Sequence, residues 1–118
     1  MYTEKISTAE LVGLLYKRAI SNLERAINAP PQEALALVLH ADEIVKELCR
    51  ALDFASGGAL AENLLKTYEF VRSRLLAAGT GGREKLVDEA KRALDVLQPL
   101  SEAWQLVVAE EAKRTKES

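Results

Sequence analysis

Residues 42–76 read DEIVKELCRALDFASGGALAENLLKTYEFVRSRLL. They contain the end of one amphipathic helix, a Ser-Gly-Gly break at residues 56–58, and most of a second amphipathic helix. A short turn between two helices folds the second back against the first, so that the two apolar stripes meet, as they do in antiparallel bundles. The segment therefore predicts a helix hairpin in the middle of the chain.

The composition indicates a single all-α domain. The chain has 118 residues, enough to bury one core, and 48% are apolar while only 5% are aromatic, so we expect a core of leucine, valine, isoleucine and alanine. The few prolines and glycines are confined to a few places, as in helical proteins. We predict one domain over residues 1–118, with a short N-terminal arm at residues 1–6 and a frayed tail at residues 113–118.

Charge and apolar patterning exclude several classes of partner and location. The net charge of −2 gives no attraction to nucleic acid or to anionic lipid. The single cysteine excludes an internal disulfide and fits a reducing compartment. The first residues, MYTEKIST, lack the features of a signal or transit peptide, and no apolar run is long enough to cross a bilayer. We expect a soluble, cytoplasmic protein without membrane insertion.

Outward from the hairpin, the apolar periodicity predicts an antiparallel four-helix bundle. The predicted helices span residues 8–28, 31–54, 59–78 and from about 83 onward, with breaks at residues 30–31, 56–58 and 79–82. The positions predicted to face the core are Leu11, Leu15, Ala19, Leu23 and Ala26; Ala34, Leu37, Val38, Ala41, Ile44, Val45, Leu48 and Leu52; Leu60, Leu64, Tyr68, Val71 and Leu75; and Leu86, Ala90, Ala93, Leu94 and Leu97.

Two local features concern the ends of this pattern. Ser7 and Glu10 fit a capping box, and Ile6 and Leu11 fit a hydrophobic staple at the start of the first helix. Pro99 interrupts the fourth helix, although the apolar stripe continues through Leu100, Trp104, Val107 and Val108. Because an interior proline costs a helix about 3 kcal/mol, we predict a kink near Pro99, with a split into two helices as the alternative.

The residues that could carry chemistry do not form a site. His40 and Cys49 share the second helix but point to opposite faces. The Glu-x-x-His motif of di-iron bundles is absent because Leu37 stands where the glutamate would be. Glu43 and Glu47 flank a lysine and fit a solvated face. We therefore predict no enzyme activity, no metal and no cofactor.

Each predicted helix carries apolar residues beyond those that a bundle core needs. A simple bundle requires about three apolar positions in seven, and this sequence exceeds that. The surplus residues are candidates for binding a partner's apolar helix, and they are Leu14, Leu39, Leu65, Phe70, Leu76 and Val96. A broader core or a homodimer interface would also account for several of them.

The central segment also resembles a known family. Residues 52–78, LDFASGGALAENLLKTYEFVRSRLLAA, are similar to the signature of the FliS family of flagellin-specific export chaperones. The matching residues are Leu52, Asp53, Gly57, Gly58, Ala61, Asn63, Leu64, Tyr68, Arg74 and Leu75. The segment STAELVGLLYKRAI at residues 7–20 resembles the family's first helix, and the resemblance extends to Trp104.

The resemblance implies an antiparallel helical bundle that binds the C-terminal segment of flagellin and prevents its premature polymerisation before export. It also implies an interaction with the flagellar export apparatus. Family members usually carry a longer N-terminal arm with a tyrosine, for which Tyr2 is the candidate here. Thr67 and Gly79 depart from the family pattern. The alternative function is a helical interaction module, or a homodimeric structural bundle, with a different client.

Overall fold

The computed structural model describes the backbone of residues 8–117 and the side chains of residues 8–114. This part of the chain forms four helices and no strand. The helices are α1 (Thr8–Asn28), α2 (Pro31–Arg50), α3 (Phe54–Ala78) and α4 (Arg83–Glu117). The prediction of an all-α fold is confirmed. In the same residues no helix is long and apolar enough to cross a membrane.

The four helices form an antiparallel bundle in which each packs against its two neighbours in the ring α1–α2–α3–α4. The connections are too short for anything but a reversal of direction. Two side chains fix α4 against α1 at both ends. The Arg83 guanidinium donates to the carbonyls of Ile27 and Ala29 at 2.8 and 2.5 Å, and the Trp104 indole donates to the carbonyl of Ala9 at 2.7 Å.

The break between α1 and α2 lies where it is predicted. Pro30 is extended, with φ −59° and ψ 156°, and Pro31 opens α2, where a missing amide hydrogen costs nothing. The predicted bounds of the first helix, residues 8–28, agree with α1. Ser7 and Ile6, and with them the predicted capping box and staple, lie outside the described residues.

The junction of α2 and α3 differs from the prediction. The second helix was expected to reach Phe54, but α2 ends at Arg50. The reason is Asp53, whose carboxylate accepts a hydrogen bond from the Ser56 amide at 3.1 Å and so starts a new helix. At Gly58 the backbone leaves helical geometry, with φ 50° and ψ −125°, which confirms the predicted break there.

Apart from two tyrosines the core is aliphatic, and its composition agrees with the prediction at most positions. The largest fully buried side chains are Tyr16, Tyr68, Leu23, Leu48, Leu75, Leu97, Val38, Val45 and Val71. Leu15, Leu52, Leu64, Leu100 and Trp104 are partly buried and pack against this core.

Three positions predicted to continue the core stripe are wrong. Leu11 is 48% exposed because α1 presents Val12 and Tyr16 to the interior instead. Leu60 is 66% exposed, since it lies just after the irregular Gly58, where the helical phase is interrupted, and the small Ala61 takes the inward position. Val107 is also exposed.

The helix α4 continues through Pro99, so the split into two helices is not found. Pro99 cannot donate to the carbonyl of Asp95, one turn earlier. Both residues are exposed, so water can reach the freed carbonyl. The helix is assigned to Glu117; fraying of residues 113–118 and the boundary of the arm at residues 1–6 stay predictions.

Two tyrosines join opposite corners of the ring through the core. The hydroxyl groups of Tyr16 in α1 and Tyr68 in α3 are 2.5 Å apart, and both residues are almost completely buried. The rings are tilted at 59° with centroids 6.3 Å apart. One hydroxyl therefore donates to the other, so each has a hydrogen-bond partner within the core. Burial raises the pKa of both tyrosines, so both stay neutral.

Candidate partner-binding surface

The residues considered for chemistry lie apart from any site. The exposed His40 accepts a hydrogen bond at Nδ1 from the buried Asn22, at 3.0 Å, which is a structural contact between α2 and α1. Cys49 is half-buried, and burial raises the pKa of its thiol. Among the described residues no group of three or more His, Cys, Asp or Glu side chains could hold a metal ion.

Glu43 and Glu47 lie on a solvated face, as predicted. Glu43 accepts a hydrogen bond from Lys46 at 2.9 Å, and Glu47 is paired with Arg50. This contact with Lys46 lowers the pKa of Glu43. Exposed pairs of this kind contribute little to stability.

Most of the six candidate partner-binding residues are accessible. Leu14, Leu39, Phe70 and Leu76 are each about half exposed, at 48, 51, 48 and 56%. Leu65 is partly buried, and Val96 packs against the core. The six do not form one patch, because they belong to three different faces of the bundle.

Three of the six candidates, Leu39, Leu65 and Leu76, lie between α2 and α3. An ion pair between the buried Asp42 and the partly exposed Arg72 sets the register of these antiparallel helices, since Arg72 Nε donates to Asp42 Oδ1 at 2.9 Å. Leu39 is one turn before Asp42 and Leu76 is one turn after Arg72, so the two leucines face each other across this surface. The hydrogen bond with Asp42 raises the pKa of Arg72, which keeps the guanidinium charged.

This α2–α3 face continues in both directions from the ion pair. Toward the end of α3, a Cβ added at Gly79 would lie 3.4 Å from Leu35, another exposed leucine. In the other direction the same register brings Leu65 opposite Cys49, two turns from the ion pair on each helix. The result is a row of apolar residues interrupted by a charged group, in which Asp42 is paired with Arg72 and lies 4.0 Å from Lys46 Nζ.

Phe70 and Val96 belong to the α3–α4 face. The guanidinium of Arg74 lies 5.6 Å above the Phe70 ring and is 3.4 Å from the buried carboxylate of Glu89. Phe70 is one turn before Arg74, and Val96 is two turns after Glu89, so both residues are directed to the same seam.

Leu14 lies in a groove between α1 and α4. This α1–α4 groove has a volume of about 370 Å³ and is lined by Glu10, Gly13, Leu14, Lys17, Trp104, Gln105, Val108 and Ala109. The indole of Trp104 passes close to α1 at Gly13, where an added Cβ would lie 3.5 Å from its Cδ1.

The sequence did not predict a second apolar opening, at the junction of α2 and α3. This junction pocket, of about 280 Å³, is lined by Val12, Leu48, Ala51, Leu52, Asp53, Ser56, Gly57, Leu60, Ala61, Leu64, Tyr68 and Trp104. Five of these were predicted to face the core, namely Leu48, Leu52, Leu60, Leu64 and Tyr68. The signal that could have revealed it is the Asp53 cap, because a helix starting there leaves the chain before Gly58 outside the regular packing.

Trp104, the single tryptophan of the sequence, lines both openings. They therefore form one surface at this end of the bundle.

Comparison with known proteins identifies the family of the chain. The family model described as "Flagellar protein FliS" matches residues 2–111. The chain belongs to the FliS family. The match covers all four helices apart from the last residues of α4, so it concerns the whole bundle and not one motif.

A curated relative agrees. The flagellar secretion chaperone FliSB of Pseudomonas aeruginosa is 34% identical to this chain in an 88-residue alignment that covers 71% of this chain and 70% of the relative. Together the two matches support a flagellar export chaperone and point to a protein that is not an enzyme.

Proposed function

We propose that this protein is a cytoplasmic export chaperone that binds the C-terminal segment of flagellin and prevents its polymerisation before secretion. The observation that carries the proposal is the exposure of large apolar side chains on three faces of a bundle whose core is complete without them. Leu23, Leu48, Leu75 and Leu97 fill the interior, whereas Leu39, Leu76 and Phe70 are about half exposed. Exposed apolar surface of this kind favours binding of another chain.

The distribution of these residues favours a client that is a flexible segment. The α2–α3 face, the α3–α4 face and the α1–α4 groove lie around the bundle, so one rigid domain could not contact all of them. A segment that is disordered when free can wrap around such a surface and gain order as it binds. Its ordering cost is offset by the apolar area that it buries.

Binding of the client segment would itself block polymerisation of the client. A client segment held on the chaperone is not available to other subunits of the client. The proposal includes release of the client at the flagellar export apparatus. A homodimer stays an alternative use of the same apolar faces, which sedimentation of the purified protein would detect.

Co-expression tests this proposal. The affinity-tagged protein is produced with full-length flagellin of the same organism, with flagellin lacking its C-terminal segment, and with flagellin lacking an equally long N-terminal segment as the control. We expect the full-length and N-terminally truncated flagellins to co-purify and the C-terminally truncated one to be lost. Equal recovery of all three, or of none, contradicts the proposal.

A further inference from the structure

Gly13 lies inside α1, where nothing in the resting fold requires a glycine. The helix begins at Thr8 and runs without interruption to Asn28. Glycine is less favourable than alanine in a helix interior. A Cβ added at Gly13 would lie 3.5 Å from Cδ1 of Trp104, an ordinary van der Waals contact. Alanine would therefore fit here and stabilise the helix.

What glycine does provide is open space beside Trp104. The missing side chain leaves the floor of the α1–α4 groove free, between the indole on one side and Leu14 on the other. Val108 and Ala109 add apolar surface from α4. The groove, with a volume of about 370 Å³, has room beside Gly13 for a side chain from outside.

Trp104 is held so that it forms a wall of this space. Its indole nitrogen donates to the Ala9 carbonyl at 2.7 Å, which fixes the ring against α1. The residue is only partly buried, and it lines the junction pocket as well as the groove. Large aromatic side chains with one satisfied polar atom are frequent anchors of protein interfaces.

We propose that Gly13 and Trp104 form a slot that receives one large apolar side chain from an amphipathic helix of the client. This inference rests on the proposed function, because the helix belongs to the same client segment. It identifies Trp104 as a residue that contacts the client and Gly13 as the residue that determines the size of side chain accepted.

A second copy of the chain is a poorer occupant. Stable interfaces between proteins bury about 1,200–2,000 Å² in total. The groove is lined by eight residues, too few to supply such an area without further contacts.

The test uses the full chain and a synthetic peptide of flagellin's C-terminal segment that contains no tryptophan. Emission from Trp104 is followed during titration, and affinity is measured independently by calorimetry. Gly13→Leu should fill the slot and weaken binding about tenfold or more, and Gly13→Ala should weaken it less while raising the unfolding temperature. Arg25→Leu, on the exposed side of α1 and outside both openings, is the matched control and should keep wild-type affinity.

The outcomes separate this inference from the proposed function. A shift of Trp104 emission that saturates with the calorimetric binding curve, together with the loss in Gly13→Leu, supports the slot. Binding without any change in emission, or equal affinity of Gly13→Leu and wild type, overturns the slot and leaves the proposed function intact. If Gly13→Leu does not fold, Gly13→Ala decides by the same criterion.

Two further measurements test whether the client, and not this protein itself, fills the slot. A wild-type dimer that Gly13→Leu converts to a monomer would assign the slot to a second copy. An emission change on deleting residues 2–6, without peptide, would assign it to this chain's own N-terminal segment. Either result overturns the inference, and absence of any peptide binding by the wild type overturns it together with the proposed function.

Discussion

At the scale of single residues, two glycines have opposite meanings. Gly58 has φ 50° and ψ −125°, a conformation that side chains with a Cβ avoid. Gly13 is helical and has room for a methyl group. The same substitution should therefore change stability in opposite directions at the two positions.

We expect Gly58→Ala to lower the free energy of unfolding by about 1–3 kcal/mol because of backbone strain. Gly13→Ala should raise it by up to about 1 kcal/mol because alanine is the better helix former. Urea denaturation followed by circular dichroism measures both. Equal effects of the two substitutions would mean that Gly58 can become helical at no cost.

The buried tyrosine pair gives a second prediction. Tyr16→Phe leaves the Tyr68 hydroxyl buried without its partner, which should cost about 1–3 kcal/mol. Replacing both tyrosines by phenylalanine removes both polar groups, so the double variant should lose less than the sum of the single losses. A double-mutant cycle in urea gives this coupling, and strict additivity would show that the hydroxyl groups do not stabilise each other.

At the scale of helices, periodicity predicted most of the fold, because a bundle core repeats with the helix. The residues of α2, and those of the first part of α4, that were predicted to face the core are buried for that reason. Periodicity failed where a local feature interrupts it. The Asp53 cap ends α2 early, and the irregular Gly58 turns Leu60 outward.

The same limit of periodicity explains which parts of the partner-binding surface could be predicted from the sequence. Helical angles correctly identified Leu39 and Leu76 as outside the core, since both lie beside the buried stripe of a regular helix. They could not reveal that Leu52, Leu60 and Leu64 line an open pocket, because that depends on how the junction departs from a helix. The hydrogen bond of Trp104 to α1 joins residues far apart in sequence, so helical angles could not predict it either.

The effect of Pro99 on the stability of α4 is a prediction at the scale of helices. Pro99 lies within a continuous helix and leaves one carbonyl without its helical partner. Pro99→Ala restores that hydrogen bond and should stabilise the protein by about 1–3 kcal/mol. Thermal unfolding monitored by circular dichroism checks this. A loss of stability would show instead that the packing of Leu100 and Trp104 depends on the geometry that proline imposes.

At the scale of the whole molecule, binding and stability should separate. Leu39→Ser with Leu76→Ser changes two exposed residues on the α2–α3 face, so it should weaken client binding and leave the unfolding midpoint nearly unchanged. Leu48→Ala removes a side chain that is 1% exposed and should cost about 2–5 kcal/mol of stability. If the serine pair destabilises the protein as much as Leu48→Ala does, those leucines belong to the interior and the α2–α3 face is not a binding surface.

The most direct test of the account is calorimetric titration of the wild-type protein with the flagellin C-terminal segment at several temperatures. We predict saturable binding with a large negative heat-capacity change, because apolar surface is buried as the segment gains order. The affinity should depend only weakly on salt, since the net charge is −2. No heat of binding with the protein at roughly tens of micromolar, where an interaction of that strength is detectable, would contradict the account.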